Sequence, residues 1–207
     1  MITTKNYKTL DDAYTFFNEK LFDNKLPECL ITFQRRKVNK LGYFHSKQYH
    51  ARDDNNNVVS ELSLNPDSFY DRTDQEILST LVHEMCHAWE IDIEKKNTGT
   101  YHDKHWGNKM ELVGLIPSNT GKPDGKKTGI QMTHYINPEG KFIKVSTEFL
   151  ENNKLEWNGN KPVERVKKER NKTKFKFHCG ECNQVAWGKE DANLMCGNCS
   201  VEMEIEL

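Results

Sequence analysis

Apolar residues recur at helical spacing in three stretches of the chain. From Thr9 to about Phe22, the residues Leu10, Ala13, Tyr14, Phe17 and Leu21 form one stripe, with Thr9 placed to cap the helix and Asp23-Asn24-Lys25-Leu26-Pro27 to end it. From Asp74 to about Lys96, Ile77, Leu78, Leu81, Val82, Met85 and Trp89 repeat at intervals of three and four behind a Thr73-x-x-Glu76 capping box. From Tyr101 to Leu115 the stripe is Trp106, Met110 and Val113, closed by Gly114 and Pro117. Between the first two helices the period drops to two, near Cys29 to Arg35, Leu41 to Tyr49 and Val58 to Leu64, with Asp53 to Asn57 as a turn. Strands are expected there, and two more at Gln131 to Ile136 and Lys141 to Val145, after a Gly- and Lys-rich loop. The pattern predicts an α+β domain, its helices packed on a small, mostly antiparallel sheet.

Chemistry concentrates in the second helix, at His83-Glu84-Met85-Cys86-His87. A separation of four residues puts His83 and His87 on one helical face, within reach of one metal ion, with the Glu84 carboxylate beside them. Two neutral imidazoles suit Zn²⁺, and an adjacent carboxylate can take a proton from a polarised water, so the pattern points to metal-assisted hydrolysis, most often of peptides. The alternative is a structural histidine pair. A catalytic zinc needs a third protein ligand, and His102 and His105, at the start of the next helix, are both candidates. His134 reads as a strand histidine with a local hydrogen-bond partner, or alternatively as a residue for substrate contact or transition-state stabilisation.

Six cysteines fall into two sets. Cys29 and Cys86 are isolated in apolar settings and read as small buried hydrophobes. Cys179-x2-Cys182 and Cys196-x2-Cys199, thirteen residues apart, have the spacing of a four-thiolate structural zinc site. The segment from Phe175 is too short to bury a core and would fold by binding metal, with Phe175, Phe177 and Trp187 either packed inside it or free to stack on bases. Between Lys161 and Lys176 stand eight Lys or Arg against two Glu, without apolar periodicity. That run reads either as a solvated linker or as a phosphate-binding stretch carried by Arg165, Lys167, Lys168, Arg170, Lys172, Lys174 and Lys176. The expected division is a domain over 1–150, a basic linker over 151–174 and a zinc ribbon over 175–207.

Composition narrows the rest. With 207 residues, 35% hydrophobic, the chain can hold one ordinary domain and a small appendage, and a net charge of −1 argues against a globally basic nucleic-acid coat. No apolar run approaches a membrane span and the first residues lack a secretory core, so a cytoplasmic protein without membrane contact is expected.

The segments Leu21-Phe22-Asp23-Asn24-Lys25-Leu26-Pro27, His83-Glu84-Met85-Cys86-His87-Ala88-Trp89, His102-Asp103-Lys104-His105-Trp106, Gln131-Met132-Thr133-His134-Tyr135 and the four-cysteine ribbon occur in the order found in SprT-like metalloproteases. The chain resembles that family along nearly its whole length, including the branch typified by Spartan, a DNA-dependent protease that removes proteins crosslinked to DNA. The resemblance implies a compact zincin-like fold, one catalytic zinc on His83, His87 and His102, Glu84 as general base, and one structural zinc on the cysteines. It also implies DNA-associated substrates, with DNA, single-stranded DNA included, as partner. Asp103 stands where the family has Gly and His105 where it has an acidic residue, which keeps His105 as the alternative ligand. The competing readings are a DNA-independent regulatory peptidase and a nucleic-acid-binding adaptor with a non-hydrolytic metal site.

Overall fold

The computed structural model describes residues 1–35, 40–54, 56–96, 99–157, 159 and 173–206. Its contacts divide the chain into two compact units, Met1–Pro162 and Val163–Leu207. The boundary falls among residues 160–172, outside the described set, as does most of the expected basic linker.

In the larger unit, α1 spans Ile2–Phe22 and buries the expected stripe of Leu10, Ala13, Tyr14, Phe17 and Leu21. It starts a full two turns before Thr9. No Gly or Pro interrupts residues 2–8, and the Thr9 hydroxyl donates to the Lys5 carbonyl one turn back instead of capping an end. Asp23 closes the helix in the left-handed conformation, and the buried Asn18 amide fixes the chain reversal by pairing with both backbone groups of Leu26. Three strands follow: β1 (Cys29–Phe33), β2 (Gly42–His50) and β3 (Val58–Leu64), in the order β1-β3-β2. β2 is antiparallel to β3, whereas β1 runs parallel to it, so this sheet is mixed.

Helix α2 (Asp74–Ala88) begins at the Thr73–Glu76 capping box and lies across β2 and β3. A π-helical turn, Trp89–Ile93, continues it. α3 (Lys104–Val113) starts at Asp103, whose carboxylate accepts from the Trp106 N–H, and stops at Gly114. β4 (Leu115–Ser118) and β5 (Thr133–Ile136) form an antiparallel pair beside it.

The segment from Lys141, expected as a strand, is helical: α4 spans Lys141–Leu150. Alternation over residues 141–145 is outweighed by a longer period, because Phe142, Ser146 and Phe149 stand at i, i+4 and i+7 and are all buried. The rings of Phe142 and Phe149 lie 5.9 and 5.8 Å from Phe17, and full burial of a side chain of this size is worth about 1.5–3 kcal/mol. Gly114 makes the docking possible: at φ +98°, a Cβ there would stand 2.7 Å from the Phe142 nitrogen.

The smaller unit is a three-stranded antiparallel ribbon, β6 (Phe175–His178), β7 (Val185–Gly188) and β8 (Glu204–Glu206), with β6 in the centre. Phe177 and Met203 are its buried apolar residues beside Cys179 and Cys196, while Trp187 is 65% exposed. Among the described residues no helix is long and apolar enough to cross a membrane.

A candidate metal centre and a four-cysteine ribbon

His83 and His87 project from one face of α2, as their spacing requires, with ring centroids 5.3 Å apart. His102 arrives from the segment just before α3. A two-way backbone bridge with Gly129 fixes it there: His102 N donates to Gly129 O (2.8 Å) and Gly129 N to His102 O (3.1 Å). One ring nitrogen from each of the three histidines can be chosen so that all lie within 4.8 Å of one another. Trp106, fully buried, forms the wall behind them. Its indole stacks on His87 at 5.2 Å and meets His83 and His102 edge-on at 5.0 and 4.5 Å.

These imidazoles are held neutral. Burial pushes His83 well below its ordinary range, takes His87 down to about 3, and lowers His102, with the neighbouring histidines adding to the effect at His83 and His87. His102 Nδ1 lies 3.1 Å from the Gly129 carbonyl, which only accepts, so this nitrogen carries the proton and Nε2 keeps a free lone pair. Three neutral, converging imidazoles fit a borderline-soft divalent ion such as zinc.

Glu84 is buried in the same turn of helix, and burial raises its carboxyl to about 8, against a smaller opposing pull from Lys40. Space for it is made by the bare backbone of β2. A Cβ on Gly42 would come within 3.0 Å of Glu84 Oε1 and 2.8 Å of the Ser63 carbonyl. His105 lies outside the cluster: its ring stacks on Trp89 at 4.9 Å, and its Nε2 is 3.7 Å from Glu94. The structure therefore brings His102, and not His105, together with His83 and His87. His134 is half-buried and has two polar partners, His83 Nδ1 at 3.0 Å and Ser79 Oγ at 2.8 Å.

Cys179, Cys182, Cys196 and Cys199 form a second cluster, their sulfurs within 4.8 Å of one another. The two turns that carry them repeat one hydrogen-bond pattern. Cys179 N donates to Gln184 O and accepts at its own carbonyl from Asn183 N; Cys196 does the same with Val201 and Ser200. Asn183 and Ser200 both take positive φ, at 57° and 56°, which gives each pair of cysteines the same tight turn. Backbone N–H groups of Cys199 and Asn198 hold the Cys196 thiol at about 7, favouring the thiolate that a metal needs. This donor set is likewise consistent with zinc.

Of the basic residues singled out in the sequence, Arg165, Lys167, Lys168, Arg170 and Lys172 lie outside the described residues. Lys174 is exposed, and Lys176 is paired with Glu206 at 2.6 Å.

Without zinc, the larger unit is expected to be most stable near pH 6.5. His83, His87, His102 and His134 all have folded pKa values below the ordinary 6.5, His87 and His134 down to about 3. Between 6.5 and 3 the unfolded chain therefore binds more protons, and stability rises with pH. Burial raises Glu84 from 4.5 to about 8, and burial with the nearby Asp103 charge raises Glu90 to about 7. Across those windows the folded chain binds more protons, so stability falls as pH rises. Among the described residues of the larger unit, four histidines oppose two carboxylates below 6.5; from there to pH 8 the carboxylates act without them. Urea denaturation of the metal-free chain at graded pH, followed by far-UV circular dichroism, checks this, since every described helix lies in residues 2–150. A midpoint still rising from pH 6.5 to 8 would contradict it.

A model of the SprT-like family matches residues 10–134. A stretch of 51 residues, 25% of this chain, is 51% identical to an uncharacterized protein encoded in the mucB 3' region of Salmonella typhimurium, of which it covers 68%. No solved structure matches the chain.

Proposed function

The chain belongs to the SprT-like family, whose members are metalloprotease-type proteins, and from that premise we propose that it is a zinc-dependent endopeptidase acting on DNA-associated or DNA-crosslinked proteins. The observation that carries the peptidase reading is the three-histidine cluster with a buried carboxylate in the same helical turn. A structural zinc has no use for that carboxylate; a hydrolytic one does.

His83, His87 and His102 would hold the ion, whose chemistry is Lewis-acid polarisation of a water and of the scissile carbonyl. Glu84 takes the proton from the attacking water and passes it to the leaving amine nitrogen. A carboxyl raised by burial is a stronger base than a solvated one, and nearby positive charge returns it to the ionised form; Lys40 already acts in that direction. Trp106 excludes water behind the histidines, and the Gly42 backbone leaves the carboxylate room on the β2 side.

Support for DNA-linked substrates comes from the basic run containing Arg165, Lys167, Lys168, Arg170 and Lys172, from the exposed Lys174, and from Trp187, an exposed ring on which a base can stack. One observation favours the DNA-independent peptidase instead. On the ribbon, Lys176 is committed to Glu206, and Glu204 stands on the same strand two residues away, which reduces the positive charge of that edge.

The test is cleavage of a DNA-binding protein by the full chain, with and without single-stranded DNA. A companion variant carries Gln at Arg165, Lys167, Lys168, Arg170 and Lys172. The expected result is DNA-stimulated cleavage that weakens steeply with salt and is lost in the variant. Equal cleavage without DNA selects the DNA-independent peptidase. Two bound zincs with no cleavage of any protein substrate selects the adaptor.

A further inference from the structure

Glu76, Ser79 and His83 follow one another at spacings of three and four along α2, and His134 on β5 reaches two of them. The hydrogen-bond directions along this row can be assigned one after another. Ser79 Oγ lies 2.7 Å from the Glu76 carbonyl oxygen, which only accepts, so the single hydroxyl proton is committed there. Toward His134 Nε2, 2.8 Å away, Ser79 must then accept, and the ring nitrogen donates. A single proton lies between the two facing Nδ1 atoms of His134 and His83, and the His134 ring already donates through its Nε2. With its one proton on Nε2, its Nδ1 can only accept, and the facing His83 Nδ1, 3.0 Å away, must be the donor.

We infer that His134 is a positioning residue for the metal centre: by accepting the His83 Nδ1 proton it fixes His83 in the tautomer whose lone pair lies on Nε2, free for the ion shared with His87 and His102. The inference rests on the reading of these three histidines as a metal site. Were the His134 ring to carry its proton on Nδ1, His83 would have to accept there and bear its own proton on Nε2, where it could not ligate. The Gly129 carbonyl does the same for His102. Both acceptors come from the short segment 129–134, so one piece of chain sets the tautomer of two of the three histidines. Such outer partners typically govern metal affinity.

The experiment is zinc competition against a chelator in the full chain, comparing His134→Leu, His134→Asn and Ser79→Ala. Cobalt substitution separates the two sites, because only the ribbon gives a thiolate charge-transfer band. His134→Leu is expected to weaken the histidine site about 10–100-fold, whereas His134→Asn, which places an acceptor oxygen where Nδ1 stands, should stay within about threefold of the parent. Rescue by Asn distinguishes hydrogen bonding from simple space filling. Should the Leu variant fail to fold, Ser79→Ala carries the test: a loss of about tenfold supports the relay, and unchanged affinity overturns it. A parent chain that binds two zincs, with His134→Leu equal to it or with Asn as weak as Leu, overturns this inference alone. A parent that binds zinc only at the ribbon overturns the metal-site reading as well.

Discussion

Replacing Glu84 by Gln is expected to lower peptide turnover by about 10²–10⁴-fold while leaving two zincs bound. The side chain is nearly isosteric, so it fits the same space opposite Gly42, and none of the three clustered histidines is touched. Stability should hold or rise, because a neutral amide replaces a carboxyl whose buried position disfavours its charge. Loss of turnover with metal and fold intact would therefore isolate proton transfer. Glu84→Asp sharpens the test: it keeps the acid but withdraws it by one methylene, and a misplacement of about 1 Å can cost about 10²-fold. Metal analysis, circular dichroism and peptide cleavage on the same preparations give the answer. A fully active Glu84→Gln chain would remove Glu84 from the proposed role.

Legibility in the sequence followed the range of the interactions involved. His83, Glu84 and His87 could be read because four residues make one helical turn, and the Thr73–Glu76 box because it closes over three. The two cysteine turns were equally local. Trp106 was visible as an apolar helix position, but its place as the wall behind three imidazoles depends on how α3 docks on α2, which no short window contains. Gly42 carried no signal of its own; its role appears only when β2 lies over Glu84. The misassigned strand at Lys141 to Val145 shows the complementary failure. Five residues can satisfy two periods at once, and only Phe149, a turn further on, decides for the helix. The partners of His134 lie 51 and 55 positions away, so the sequence offered a strand histidine and could not say what it held.

His102 and His105 differ by three positions; their spacing admits either as third ligand and only the family resemblance prefers His102, so substituting each in turn gives opposite expected results. His102→Ala should weaken zinc at the histidine site by more than the ~10–100-fold typical of partners behind the ligands, and turnover should fall with it. Two backbone bonds to Gly129 already fix residue 102 and its ring nitrogen is oriented by the same carbonyl, so the variant deletes a preorganised donor without unfolding the bridge. His105→Ala removes a ring stacked on Trp89 and a loose contact with Glu94, neither of which touches the cluster. Its expected cost is about 0.5–1.5 kcal/mol of stability from the lost aromatic pair, with zinc affinity and turnover close to the parent. The physical reason lies at Asp103. By capping α3 through the Trp106 N–H, it starts the helix between the two histidines, leaving His102 in extended chain facing α2 and carrying His105 around the first turn toward Trp89. Asp103→Ala should accordingly cost about 1 kcal/mol as a lost cap, and shift zinc affinity only as far as His102 moves with it. If His105→Ala proves to be the variant that loses the ion, the assignment of the third ligand must pass to His105 and this account of the cap fails with it.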